Sequence, residues 1–252
     1  MPDQLSLRLE PALPGLPVEL RPMLPRPAAG PFDSPEHLFE PNWGGHRALA
    51  FLEPGAPRGR RLRLLDLDGG GLAPRRAGVA HLAGRIAGAW AGLDGELVVV
   101  DRHGRADHAA LAARLRGPGL TIGRPVALLV FDVLHRDGRS LLAVPLERRR
   151  RMLAEVLLPG EEIVAVPAIA AEGRALHEAV MAQGIAGVMA RDRRSPYLPG
   201  VRSSLWQFVE RGADGATSAE DADGVRLDAD AEKTGGPGDD GDDRGDGGDA
   251  DV

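Results

Sequence analysis

At 252 residues the chain can hold one large domain or two small ones, and its 43% hydrophobic content is ample for a core. Cysteine is absent, which excludes disulfides and thiolate chemistry. No run of 18 apolar residues marks a membrane-spanning helix, and Met1-Pro2-Asp3-Gln4 does not open a signal peptide, so a soluble cytoplasmic protein is expected. The net charge of −6 is unevenly spread: residues 212–252 hold 14 of the 37 acids and 3 of the 31 basic residues, leaving 1–211 at +5.

Taken in chain order, residues 1–35 carry nine prolines and read as an extended lead-in, because proline fixes φ and removes a backbone donor. The body is expected from about Glu36 to Arg211. Gly45–Leu52 and Leu62–Asp66 read as adjacent strands joined through Pro54-Gly55-Ala56-Pro57. Val79, Leu82, Ile86 and Trp90 recur at helical spacing, which predicts a helix over 79–90. Asp94-Gly95 leads into a buried strand at Glu96–Val100, and a short helix follows at Ala106–Leu115. The apolar run Val126–Leu134 ends in the turn Arg136-Asp137-Gly138. Pro145–Leu158 reads as a helix with proline in its first turn. A strand at Ile163–Pro167, a helix at Ala170–Gln183 stopping near Gly184, and strands at Gly187–Arg191 and Ser204–Glu210 complete the body. Strands and helices alternate too loosely for a doubly wound sheet, so mixed sheets packed with helices are expected. Residues 212–252 are acidic, Gly-rich low complexity, with too little apolar surface to fold; they read as a disordered, solubilising tail or as a competitor for a basic face.

Five segments in order resemble the adenylation domain of ATP-dependent DNA ligases, especially the bacterial repair type. The first is Glu40-Pro41-Asn42-Trp43-Gly44-Gly45-His46-Arg47, where that family has Lys-x-Asp-Gly-x-Arg. The second is Leu93-Asp94-Gly95-Glu96-Leu97-Val98 with Asp101, Gly104, Arg105 and Asp107. The third is Leu129-Val130-Phe131-Asp132-Val133-Leu134, then Asp137-Gly138-Arg139 and Pro145-Leu146-Glu147-Arg148-Arg149. The fourth is Gly184-Ile185-Ala186-Gly187-Val188-Met189-Ala190-Arg191, then Ser195-Pro196-Tyr197, Pro199-Gly200 and Arg202-Ser203. The fifth is Trp206 and the residues after it. The similarity spans about 20–211. It implies an α+β nucleotidyltransferase fold of mixed and antiparallel sheets with packed helices, divided as a 1–19 lead-in, a 20–211 adenylation domain and a 212–252 acidic tail. The OB-fold domain that follows the core in a ligase is not expected from that tail.

The resemblance also implies site residues, and several depart from the family. Asn42 stands where the family's lysine attacks the α-phosphate of ATP. An amide offers no nucleophile at neutral pH, so no catalytic residue is assigned, and Asn42 is left to bond a phosphate or cap a turn. The sole lysine of the chain is Lys233, in the tail. Arg47 would contact the ribose or phosphates, or form a surface ion pair. Glu96 would touch ribose or a divalent metal, or satisfy loop amides at the start of its strand, its metal-associated partner carboxylate being replaced by Ala186. Phe131 would stack on adenine, or simply fill the core. Arg191 replaces a lysine at the α-phosphate, and Phe208 and Glu210 replace two more lysines. Among seven histidines none shows metal-ligand spacing, though His46 flanks the nucleophile slot. Arg148-Arg149-Arg150-Arg151 could meet nucleic-acid phosphates or go round a solvated helix. The expectation is a ligase-like protein of DNA repair or recombination, catalytically inactive, with ATP and Mg²⁺ binding weak or lost and DNA or a repair protein as partner. An active ligase with an unusual nucleophile and a structural interaction module with an empty cleft are the alternatives.

Overall fold

The computed structural model describes residues 16–54, 60–73, 78–116 and 124–212. Two sheets face each other. The first is five-stranded and contains β1 (Leu24–Pro27), β2 (Ser34–Asn42), β10 (Ile169–Ala171), β11 (Gly187–Asp192) and β12 (Arg202–Glu210), in the order β1-β12-β11-β2-β10. All its pairings are antiparallel except β1 with β12. The second contains β3 (His46–Pro54), β4 (Arg60–Leu65), β5 (Gly71–Leu72), β6 (Ala91–Val98), β7 (Ala127–Arg136) and β8 (Arg139–Ser140), in the order β5-β4-β3-β6-β7-β8. A seventh strand, β9 (Ile163–Ala165), runs parallel to β7. Helices α1 (His108–Arg116) and α2 (Leu146–Val156) belong to the second sheet, and α3 (Gly173–Gln183) covers the first. The mixed α+β architecture is therefore as expected from the sequence.

The period of two along a strand sorts side chains between layers. In β3, Ala48, Ala50 and Leu52 enter the core shared with α2, whereas Leu49 and Phe51 enter the core between the sheets. In β11, Met189 faces between the sheets, while Val188 and Ala190 pack under α3 with Phe39, Val180 and Val209. Both faces of the central strands are thus buried, which explains their nearly unbroken apolar runs. In β7 the pairing skips Phe131: Asp94 is opposite Asp132 and Gly95 opposite Val130. That bulge changes the parity, so Leu128, Val130 and Val133 share one core and Phe131 and Leu134 the other. Gly95 is needed beside it, because a Cβ there would lie 2.5 Å from the Leu129 carbonyl oxygen.

Several sequence expectations are corrected. The proposed helix over 79–90 shrinks to a 3-10 helix at Ala80–Arg85. Gly88 at φ +86 ends the segment, and Ile86 pairs in a bridge with Leu157. The strand placed at Glu96–Val100 begins at Ala91, so Asp94-Gly95 lies inside it. The helix expected from Ala170 starts at Gly173, its first residues being β10; it ends as expected at Gly184, whose φ is +70. The proline-rich lead-in contributes β1 and the start of β2. The Gly55–Pro57 part of the first turn and the acidic tail beyond Gly212 lie outside the described residues.

The arginine run on α2 is largely interior. Arg149 is fully buried, paired through Nε and Nη2 with both oxygens of Asp132 at 2.8 Å, and it donates to the carbonyls of Val144 and Ser195. Arg150 donates to the carbonyls of Phe131 and Val166 and lies 3.3 Å from Glu40. Only Arg148 and Arg151 are exposed. Truncating one partner of a buried pair strands the other charge. Arg149→Ala is therefore expected to cost about 3–5 kcal/mol, read from urea unfolding. Arg149→Met with Asp132→Leu should recover most of that loss, and a single variant as stable as the parent would refute the role.

Candidate nucleotide site

The strands place the implicated residues on one inner face. Alternation sets Glu40 and Asn42 inward from β2, Arg47 from β3, and Asp94 and Glu96 from β6; the bulge adds Phe131, and β11 and β12 add Arg191 and Trp206. A depression with about 220 Å³ of empty space lies among them, lined by Glu40, Asn42, Trp43, Glu96, Phe131 and Arg191 among others.

Asn42 is a turn-forming residue here. Its Nδ2 donates to Glu96 Oε1 at 2.8 Å, and its Oδ1 accepts from the Gly44 amide at 2.8 Å. Gly44 sits at φ +69, where glycine is favoured. Glu96 Oε2 accepts from the Gly45 amide at 3.2 Å, so both carboxylate oxygens are engaged. Burial pushes the Glu96 carboxyl up, while Arg47, the Gly45 amide and Asn42 oppose the shift.

Arg47 forms no surface pair. Its Nε and Nη2 clamp Asp94 at 2.6 and 2.7 Å, and Nη2 also reaches the Met23 carbonyl. Tyr197 donates its hydroxyl to Asp94 Oδ2 at 2.6 Å and accepts from the Met23 amide at 3.0 Å. Burial works against the Arg47 charge, but Asp94 outweighs it and holds the pKa above the ordinary value. Burial and Asp94 together push the Tyr197 hydroxyl well above its usual range.

Phe131 meets two guanidinium groups. Arg191 lies 4.1 Å from its ring centroid and Arg47 4.6 Å, and both also approach Trp206. Arg191 is ion-paired with Glu40, which is 1% exposed. Burial pushes Arg191 down to about 9, which leaves it charged at neutral pH. Glu40 is the residue whose role the sequence reading missed. Its signal was the two-residue spacing from Asn42, which puts it on the same strand face, with Arg191 diagonally across from it in the register of β2 and β11.

The positions that depart from the family also cluster. A Cβ at Gly44 would lie 3.1 Å from the Ala186 Cβ and 3.5 Å from His108 Cε1. Phe208 packs over Gly187, where a Cβ would meet its ring at 2.7 Å, and Glu210 is exposed at the strand end. No group of three or more acidic, His or Cys side chains placed to hold a metal occurs among the described residues. The donor set does not fit a divalent metal: Glu96 is spent on Asn42 and Gly45, Gly44 and Ala186 bring no side-chain oxygen, and the Ala186 carbonyl is taken by the Arg211 amide. The cleft as arranged does not fit ATP either. Arg191 occupies a stacking position on Phe131, so a planar base would have to displace its guanidinium.

Two facing sheets with a cleft between them, flanked by these motif residues, define a nucleotidyltransferase-type domain of the DNA ligase class. The chain belongs to the family described as the ATP dependent DNA ligase domain, whose model matches residues 82–208, half of the chain. The multifunctional non-homologous end joining protein LigD of Mycolicibacterium smegmatis is 28% identical over 206 residues, 82% of this chain and 24% of that protein. A DNA ligase of Methanosphaerula palustris is 34% identical over 126 residues, 47% of this chain and 22% of that ligase. A solved mycobacterial DNA ligase D complexed with ATP and MES matches with a TM-score of 0.62 at 26% identity, over 76% of this chain and 60% of that one. The chain spans about a quarter of these curated relatives' length. No helix among the described residues is long and apolar enough to cross a membrane.

Two histidines give the site and its surroundings a pH signature. Burial lowers the pKa of His46, with Asp66 partly opposing, and burial lowers that of His135. The folded protein therefore resists protons that the unfolded chain takes up near 6.5. This contribution to stability is complete above 6.5 and declines as pH falls through that value toward the folded pKa values. A His46→Gln, His135→Gln double variant should lose less Tm than the parent between pH 7.5 and 5.5, measured by differential scanning fluorimetry. Equal losses would contradict the assignment.

Proposed function

We propose that this chain is a ligase-type adenylation domain that no longer transfers nucleotidyl groups and serves DNA repair or recombination through binding. The observation that carries the reading is Asn42, whose amide is engaged by Glu96 and Gly44 at the position where the family's lysine forms the bond to AMP. The nitrogen of a side-chain amide has its lone pair delocalised into the carbonyl and cannot replace a lysine amine in in-line attack on a phosphorus atom. The supporting losses concern charge. Phosphoryl transfer relies on positioning and on neutralising oxygens, and here Gly44, Ala186, Phe208 and Glu210 remove two carboxylates and two lysines relative to the family pattern. Of the proposed nucleotide contacts, Arg47, Glu96 and Phe131 match the family pattern and Arg191 keeps the charge of its lysine, yet each has taken a partner within the protein. On this reading the domain covers 20–211, ATP and Mg²⁺ are weakly held or not at all, and the acidic 212–252 segment acts as a solubilising tail.

Incubation with α-labelled ATP and Mg²⁺ or Mn²⁺ tests the first half. Loss of a nucleophile alone costs many orders of magnitude in rate, so no acid-labile, alkali-stable label is expected on the protein. A labelled peptide would establish the active-ligase alternative and identify its nucleophile, with His46 the first side chain to inspect. Asn42→Lys by itself should leave the protein unlabelled; labelling of that single variant would show that the remaining substitutions are tolerated.

ATP titration separates a retained nucleotide site from a closed one. A ligand that binds only the native state raises stability by RT ln(1 + c/Kd), where c is its free concentration. With Arg191 on Phe131, we expect no change in Tm at millimolar ATP. A concentration-dependent rise in Tm would show that the Arg191–Glu40 pair yields to nucleotide.

A further inference from the structure

Beside the cleft lies a second group of charges that the nucleotide site does not use. The point where a Gly184 Cβ would sit has Arg211 Nη1 at 3.3 Å and Arg105 Nη1 at 4.0 Å. These residues come from opposite parts of the chain, Arg105 from the loop before α1 and Arg211 from the end of β12. They converge because Gly184 closes α3 in the left-handed conformation without a side chain. Its neighbour Ala186 accepts the Arg211 backbone amide at 3.0 Å and touches the Gly44 turn, where His108 also lies.

Bringing two guanidinium groups together is unfavourable without an anion. The ordinary explanation would be capping of the helix C-terminus. However, the Val180 and Met181 carbonyls are already taken by backbone amides of Gly184 and Ile185. Arg105 has only a 3.5 Å ion pair with Asp101, at a half-exposed side chain. Arg211 is exposed and makes no side-chain hydrogen bond or ion pair among the described residues. The two Nη1 atoms are close enough to grip two oxygens of one phosphate, given about 2.9 Å for each N–H···O bond. His108 extends the same rim toward the Gly44 turn.

We infer that Arg105, Arg211 and His108 form a phosphate-gripping rim that holds a DNA backbone across the end of the cleft. This rests on the DNA-binding part of the reading above and not on the loss of catalysis. The sequence supports DNA over an acidic protein, since 1–211 carries a net +5 and belongs to a DNA ligase domain family. The rim is distinct from the arginine run on α2, whose two central members are buried in the fold.

Fluorescence anisotropy of the full chain with a labelled duplex, from 50 to 200 mM NaCl, tests it. Arg105→Gln with Arg211→Gln should weaken binding at least tenfold at 50 mM. It should also reduce the slope of log K against log salt by about one, for the single phosphate the pair grips. Arg148→Gln with Arg151→Gln, on the exposed side of α2, should change neither. Both variants should keep the parent's Tm, because all four side chains are exposed. If the parent binds DNA and the rim variant binds it equally well, the rim is refuted while DNA binding stands. If the parent binds no DNA at 50 mM, both fail. If it binds a poly-glutamate peptide through the rim instead, the partner is an acidic protein and the inference is overturned.

Discussion

The bidentate pair between Arg47 and Asp94 is the interaction on which the arrangement of the two sheets depends. Both residues sit on the inner face of the second sheet, and both reach across it. Asp94 accepts from Tyr197, which lies between the two last strands of the first sheet, and Arg47 reaches the carbonyl of Met23 just before β1. Tyr197 in turn takes the Met23 amide. Arg47, Asp94, Tyr197 and the Met23 backbone all find partners in this network, so the desolvation of a carboxylate, a guanidinium and a phenol is offset inside the core. Asp132 and Arg149 do the same one layer further out, tying the bulged strand to α2 and to the Ser195 carbonyl. With β6 and β7 pinned by these two carboxylates, the positions of Glu96 and Phe131 are fixed.

A binding site for a polyanion must hold charges ready for a ligand, and such charges are costly while they wait. In this cleft that cost has been removed internally. Asn42 bonds Glu96, and Glu40 offsets the charge of Arg191 as its ion-pair partner, while the planar guanidinium also lies against Phe131 and Trp206. A lysine at position 191 would not stack in this way, because its ammonium is a compact, strongly hydrated charge. An arginine at 191, where the resemblance implies a lysine, therefore has a structural consequence.

The fold was readable in the sequence where both faces of a strand are apolar, as in Ala48–Leu52 and Leu128–Leu134, and where a glycine ends a helix, as at Gly184. It was unreadable where proline content suggested loop, although β1 and β2 form through pairing with distant strands. The 79–90 segment misled because its apolar spacing fits a helix, while Gly84 and Gly88 and the bridge to Leu157 decide otherwise. The motif residues were identified from their order, yet their partners were not. Whether Arg47 faces a ligand or Asp94 depends on strand parity and on a bulge at Phe131, and neither can be read from residue types.

The contact between Gly44 and Ala186 explains why the departures from the family pattern form a set. A side chain at 44 must first accept φ +69 and then lie 3.1 Å from the Ala186 Cβ, with His108 at 3.5 Å. A larger residue at 186 meets the same turn from the other side. The turn is closed around Asn42 and Glu96, so a carboxylate side chain introduced at one of these positions meets the packing of the other. Substitutions in direct contact are not independent, so the effects of reversing them singly will not add up to the effect of reversing them together.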